Sequence, residues 1–350
     1  MKVLVTGGAG FIGSHVVDVL VADGHEVLVA DVLLPKAHAW PPEYMDQAAK
    51  FVQFDVRDRS ALESLVRGCD AVSHQAAMVG LGRDFSDVTD YVSHNDLGTA
   101  SLLGALHVTG FAGRLVVASS MVVYGEGSYT CGVHGALRPG PRSRGDLDAR
   151  RWDPLCSECG RVLTVVPTTE EQTPDPRNVY AATKLHQEHL ALLFGRETGV
   201  SVAALRYHNV YGSRMPRDTP YAGVASIFRS SLESGCAPKV YEDGWQLRDF
   251  VHVEDVACAN VAALSNKNAL GRYNIASGEP HTIGEMAGVL TSEFASSRAP
   301  KVTGDYRLGD VRHVTGSPDR AKRELGWSAD IGFDEGVRAF ASQPLRAGSV

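Results

Sequence analysis

Residues 2–31, KVLVTGGAGFIGSHVVDVLVADGHEVLVAD, decide the fold. Lys2 to Thr6 is a short β-branched run that passes straight into Gly7-Gly8-Ala9-Gly10-Phe11-Ile12-Gly13, and a helix-like run follows from Ser14 to Ala22. A second apolar run, Val27 to Ala30, ends on Asp31. A glycine-rich loop alone says little. Placed between a strand and a helix, with an acid closing the next strand, it is a dinucleotide-binding fingerprint. Gly7, Gly10 and Gly13 allow a tight turn and a close approach of backbone to pyrophosphate, with Phe11 and Ile12 opening a helix whose free N–H groups face the phosphates. Asp31 is placed to accept hydrogen bonds from the adenine ribose diol, and its charge repels a 2′-phosphate, so NAD is expected rather than NADP. The competing reading is a tight turn in an unrelated α/β protein.

Composition bounds the rest. The 350 residues are 44% hydrophobic and 21% charged, ordinary for a globular chain with room for one large or two smaller domains. A net charge of −7 gives no basic footprint for nucleic acid. The apolar runs are too short to span a bilayer, and strand one starts too early for a signal peptide, so a cytoplasmic protein is expected. Six cysteines are too sparse for a disulfide scaffold.

To about Arg206 the chain alternates strand-like segments (Phe51–Asp55, Ala71–His74, Leu115–Ser119, Val202–Tyr207) with helix-like ones (Asp58–Val66, Asp87–Leu106, Asn178–Glu197). This pattern predicts an α/β fold with a doubly wound parallel sheet, of the Rossmann kind. Residues 1–207 are expected to bind NAD. Residues 208–342 would form a smaller substrate-binding domain, with a segment near 248–265 returning to the first, and 343–350 a frayed tail. Asp55 and Val56 follow strand three, where they meet the adenine edge, or Asp55 simply caps a helix. Residues 125–176 break the alternation with many Pro, Gly, Arg and Cys, and a connection this long without regular structure is functional or held by something other than a core.

Tyr180 and Lys184, in YAATK, stand four apart, on one face of a helix. A phenol is a poor base near neutral pH, and a nearby ammonium favours its phenolate. Strand five ends Ala118-Ser119-Ser120, then Met121-Val122-Val123-Tyr124-Gly125, which sets a hydroxyl in the crevice where open α/β sheets bind ligands. Taken with RYHNVYG (residues 206–212), these motifs resemble the extended short-chain dehydrogenase/reductase family, and its nucleotide-sugar epimerases and dehydratases in particular.

The resemblance covers the chain outside the 125–176 insertion and implies Ser120, Tyr180 and Lys184 as the catalytic triad, with Ser120 on the reacting hydroxyl and Lys184 also on the nicotinamide ribose. It implies Ala76 and Ala77 over the cofactor, Asn95 as a brace beside it, Ser119 and Tyr207 at the nicotinamide, and Asn209 near the sugar. Arg248 and Arg307 become diphosphate ligands, with Asp310 on a sugar or ribose hydroxyl; forked guanidiniums suit phosphates, though an arginine alone is as well read as a solvated ion pair. Dehydratases of the family carry an Asp-Glu pair where this chain has Met121-Val122, and decarboxylating relatives a glutamate in the same loop. Without them the expected outcome is return of the hydride, a 4-epimerisation on a nucleotide sugar. Met78-Val79-Gly80-Leu81-Gly82 and Met121 are apolar, which suits a 6-deoxy sugar such as dTDP-L-rhamnose, or is plain packing on the nicotinamide. The alternatives are a one-way reductase or dehydrogenase, a dehydratase, and a non-catalytic NAD-binding protein.

Cys131 and His134, then Cys156 and Cys159, repeat a two-residue gap typical of a tetrahedral site, so structural Zn²⁺ is expected, against free thiols and a surface His134. The insertion is expected to border the substrate mouth. Cys69, Cys236 and Cys258 read as buried small hydrophobes. The resemblance also implies a homodimer through the helices at 87–106 and 178–194, with Leu185, Leu190 and Leu193 as candidate contacts, unless these face the sheet.

Overall fold

In the computed structural model of the protein, residues 1–35, 37–38, 42–80, 85–217, 223–294 and 298–346 are described. Its centre is a parallel sheet of seven strands: β1 (Lys2–Thr6), β2 (Glu26–Asp31), β3 (Lys50–Gln53), β4 (Ala71–His74), β5 (Arg114–Ser120), β6 (Ser201–Tyr207) and β7 (Gly271–Ile275), in the order β7-β6-β5-β4-β1-β2-β3. Both faces are covered, so the strands read as near-continuous apolar runs. In β1, Val3 and Val5 pack to one face with Val16 and Leu20 of helix α1 (Phe11–Ala22), while Leu4 packs to the other with Leu62, Leu102 and Leu106. The helix Val253–Ser265 lies against α1 on the first face.

Strand order reverses between β1 and β4, and a crevice opens there at the C-terminal strand ends. Gly7 leaves β1 with φ +67°, and a Cβ on it would stand 2.6 Å from the Ala76 nitrogen. A Cβ on Gly13 would stand 2.2 Å from the Gly7 carbonyl oxygen. Any other residue at these two positions pushes apart the loops that form the crevice floor.

The helix expected at 87–106 runs as Val88–Tyr91, a wide π turn Val92–Leu97, and Gly98–Val108. The wide turn carries Asn95, which is fully buried. The helix Val179–Thr198 is capped by the Asn178 side chain, which accepts from the Ala181 N–H at 2.8 Å, and Gly199 ends it in the left-handed region. Beyond β6 a separate apolar core gathers Tyr211, Met215, Phe228, Phe250, Met286 and Phe340.

Two sequence expectations need correction. The insertion holds regular structure, a three-stranded antiparallel sheet of Gly135–Leu137, Ser128–Cys131 and Thr164–Val166, whose strands are too short to show an apolar period. The tail does not fray at 344–346. The Arg214 N–H donates to the Pro344 carbonyl at 2.7 Å, the Arg346 N–H to the Met215 carbonyl at 3.0 Å, and the Arg217 N–H to the Arg346 carbonyl at 3.2 Å. Residues 347–350 lie outside the described residues. No helix among the described residues is long and apolar enough to cross a membrane.

Candidate active site

Two cavities meet at the C-terminal edge of the sheet. The first, about 400 Å³, runs from the Gly-rich loop and Asp31 past Val56, Ala76 and Ala77 to Ser120, Tyr180, Lys184 and Tyr207. The second, about 680 Å³, is bounded by Val122, Arg177, Tyr241, Arg248, Arg307 and Asp310. Gly80, Met121, Tyr180, Asn209 and Gly223 line both. Tyr180 therefore stands at the junction.

In the first cavity Asp31 accepts from the Ala9 N–H at 3.1 Å and the Leu33 N–H at 2.9 Å, which ties the end of β2 to the Gly-rich loop. Tyr180 is half-buried where the cavities join, and Lys184 is buried in the first cavity. Burial pushes the Tyr180 phenol up to about 12, against the pull of the adjacent Ser120 hydroxyl, and pushes the Lys184 ammonium down to about 7. Ser120 ends β5, and its hydroxyl also accepts from the Val122 N–H at 3.4 Å.

Some predicted residues line the cleft with their polar groups already engaged, and others lie outside its lining. Ser119 lines the cleft, but its hydroxyl donates to Glu188 at 2.8 Å beneath the sheet, because neighbouring residues of a strand face opposite ways. Asp55 also lines the cleft, with its carboxylate held by Arg57 at 2.6 and 3.0 Å. Asn95 is outside the lining: its amide donates to the Met78 carbonyl at 3.0 Å and the Thr183 hydroxyl at 2.9 Å, and its oxygen accepts from the Met78 N–H at 2.7 Å. It positions the loop after β4 against the Tyr180 helix. That pinning holds Met78 out of both cavities, and its neighbours Val79 and Gly80 take the lining place. Leu81 and Gly82 lie outside the described residues. The Tyr207 hydroxyl is taken up by Asn260 at 2.9 Å and Gln75 at 3.1 Å.

In the second cavity the half-buried Arg248 guanidinium donates to the carbonyls of Leu247, Val311 and Arg312 at 2.8–2.9 Å, and the Arg307 guanidinium lies 5.4 Å over the Tyr241 ring. Asp310 stands in the field of Arg248, Arg307 and Arg142, though burial pushes its carboxyl above the usual range. Glu242 is paired with Arg142 and Arg312. Cys236 lines this cavity and is exposed, as is Cys258, so of the three isolated cysteines only Cys69 is buried.

The profile of the NAD dependent epimerase/dehydratase family matches residues 3–142 and 156–276. The chain belongs to that family. It is 34% identical to the dTDP-L-rhamnose 4-epimerase of Burkholderia thailandensis, over 96% of this chain and 93% of that protein. It is 30% identical to the putative UDP-glucose 4-epimerase of Methanocaldococcus jannaschii, over 96% of each. Among solved structures it resembles the UDP-glucose 4-epimerase of Thermotoga maritima with UDP-glucose (28% identical, TM-score 0.80, 97% of both chains) and that of Thermus thermophilus with NAD (32% identical, TM-score 0.76, 97% of this chain and 98% of that one).

The family match skips residues 143–155, inside the insertion. Beside this gap Cys131, His134, Cys156 and Cys159 converge, with all four candidate ligand atoms within 4.8 Å of one another. Cys131 Sγ is 3.7 Å from both His134 Nδ1 and Cys159 Sγ, and Cys156 Sγ is 3.4 Å from His134 Nδ1. Ligand atoms around tetrahedral zinc stand roughly 3.5–3.8 Å apart, so the four fit such an ion. The Val133 and His134 N–H groups pull the Cys131 thiol down to about 6, towards the thiolate a metal requires. All four belong to the predicted set.

Sequence reasoning missed how this insertion joins the epimerase/dehydratase body. Arg142 donates to Glu242 at 2.8 and 3.0 Å and to the Asp310 carbonyl at 2.8 Å. Arg312, wholly buried, binds Asp153, Glu242 and Asp243 at 2.7–2.9 Å. Glu126 accepts from the Arg312 N–H at 2.9 Å. These pairs span large gaps in the chain, and no local spacing signals them.

Proposed function

We propose that this protein is an NAD-dependent nucleotide-sugar 4-epimerase, working through transient oxidation at C4 of the sugar, with dTDP-L-rhamnose the favoured substrate. The position of Tyr180 at the junction of the two cavities carries the reading, with Met121 and Val122 beside it where a dehydratase of the family needs a proton-moving pair. The first cavity fits NAD: Gly7, Gly10 and Gly13 would leave room for the pyrophosphate, and Asp31 would face the ribose. Bound NAD would supply a reversible hydride acceptor. Ser120 would hold the 4-hydroxyl, and Tyr180 would take its proton and later return one to the 4-keto oxygen, after the sugar has turned so that hydride comes back to the opposite face of C4. A phenol held near 12 is scarcely ionised at neutral pH, so the Lys184 ammonium, with the positive nicotinamide when NAD is bound, would have to lower it. In the second cavity Arg248 and Arg307 would face the diphosphate, Asp310 a hydroxyl, and Asn209 the sugar.

Glu242 and Asp310, the carboxylates lining the second cavity among the described residues, are engaged with arginines: Glu242 is paired with Arg142 and Arg312, and Asp310 stands in the field of Arg248, Arg307 and Arg142. This favours simple hydride return over elimination. The Cys131, His134, Cys156 and Cys159 cluster would hold structural zinc, four protein ligands leaving no open position for substrate.

Incubating the protein with a panel of dTDP- and UDP-hexoses without added cofactor, followed by NMR, tests the reading. Inversion at C4, strongest with dTDP-L-rhamnose and lost in Tyr180→Phe, is expected. A 4-keto-6-deoxy product would mean a dehydratase, and a need for added reductant a one-way reductase.

A further inference from the structure

Residues 344–346 of the tail reach the cofactor cleft. Residues 344–346 pair with 214–217, and this brings Arg346 into the lining of the first cavity. Its guanidinium sits beside the Tyr44 hydroxyl, which donates at 2.7 Å to the Ala9 carbonyl of the Gly-rich loop. The Arg214 guanidinium lies 4.9 Å over the same Tyr44 ring and is paired with Asp18 of α1 at 2.7 Å. Tyr44 is thus gripped at the ring by one arginine and at the hydroxyl by the other, directly over the loop between β1 and α1.

Arg346 is poorly served where it stands. Its Nε and one Nη are shut off from solvent without a hydrogen-bond partner among the described residues. An unmatched guanidinium in such a place is costly, and an anion brought by a ligand relieves it. Lys184 and Arg346 are the only lysine or arginine lining this cavity among the described residues, and Lys184 belongs to the reacting end. The first turn of α1 supplies backbone N–H groups but no full positive charge against a dianionic pyrophosphate.

We propose that residues 344–346 form a strap across the dinucleotide cleft, in which Arg346 binds the pyrophosphate of the cofactor and slows its escape. This rests on the NAD reading of the cleft. The strap is tied by backbone hydrogen bonds, so changing the Arg346 side chain leaves its path intact.

Cofactor-free protein titrated with ADP, adenosine, NAD and NADP by calorimetry tests this, alongside Arg346→Gln and Arg346→Lys. Loss of one charge-assisted contact predicts about tenfold or greater weakening of both ADP and NAD in Arg346→Gln, with adenosine unchanged. Arg346→Lys should recover part of the loss, and wild-type protein should retain more NAD through purification than Arg346→Gln. Equal weakening of adenosine, unchanged ADP binding, or a loss confined to NADP would each overturn the proposal. Failure of wild-type protein to bind NAD or ADP would instead overturn the cofactor reading beneath it.

Discussion

Lys184 shows how a single side chain can carry a folding cost beside the chemical task proposed for it. Its ordinary pKa is about 10.4, and burial lowers it to about 7. Between those values the unfolded chain binds a proton that the folded chain lacks. This lysine therefore makes the protein more stable as pH rises through the window, by about 1.4 kcal/mol for each pH unit. Cofactor-free Lys184→Met should exceed wild type in stability at pH 6 and lose that margin by about pH 10, as read from urea midpoints at several pH values. A margin independent of pH would show that the ammonium is not desolvated in the fold. Such a cost at a cleft residue agrees with the chemical task proposed for it. YAATK announced Lys184 and Tyr180 because a four-residue gap fixes their relation on a helix. The fate of Ser119 was less legible: whether a strand-end hydroxyl faces the cleft or Glu188 depends on the twist of β5 against β6. Arg346 was illegible, since its partners come from segments remote in the chain.

Among the elements, the insertion between Ser120 and Tyr180 is the one that local patterning described least well. Its core is small (Tyr129, Cys131, Cys156 and Leu163), and two of those side chains are candidate ligands. Without a metal, such a core falls short of what a small unit needs. Removing metal with a chelator, or Cys156→Ser, should raise hydrogen exchange across 128–137 and 155–166. It should raise KM for the nucleotide sugar several-fold through Arg142–Glu242 and Asp153–Arg312 while bound NAD stays constant. Measured metal content near zero in the active protein would rule out the zinc. The cysteine spacing was readable because a tetrahedral ion fixes it. The short strands around it carry too few residues for a period to emerge.

At the scale of the whole molecule, the strand order β7-β6-β5-β4-β1-β2-β3 brings both cavities to one sheet edge, and the alternation of segments in the sequence already implied that sheet. The outer faces of the helices at 88–108 and 179–198 carry exposed apolar residues: Val92 is 43% exposed, Leu97 52% and Leu193 45%. Leu190, predicted with Leu193 as a subunit contact, packs instead against the core. A homodimer across this face is the expected assembly. Sedimentation should give twice the chain mass for wild type and a shift towards monomer for a Leu97→Glu, Leu193→Glu double variant. An unchanged sedimentation coefficient would place any contact elsewhere.

Among the described residues the insertion is fastened by ion pairs to Glu242, Arg312, His313 and Arg320 and by a hydrogen bond to the Asp310 carbonyl; Glu242 and Asp310 line the second cavity, and no pair reaches the Gly-rich loop or Asp31. Redesign can exploit that separation. Exchanging residues 127–172 for the matching stretch of a relative should alter which sugar nucleotide is accepted while hydride chemistry carries on beneath it, much as a lock is rekeyed without rebuilding the door.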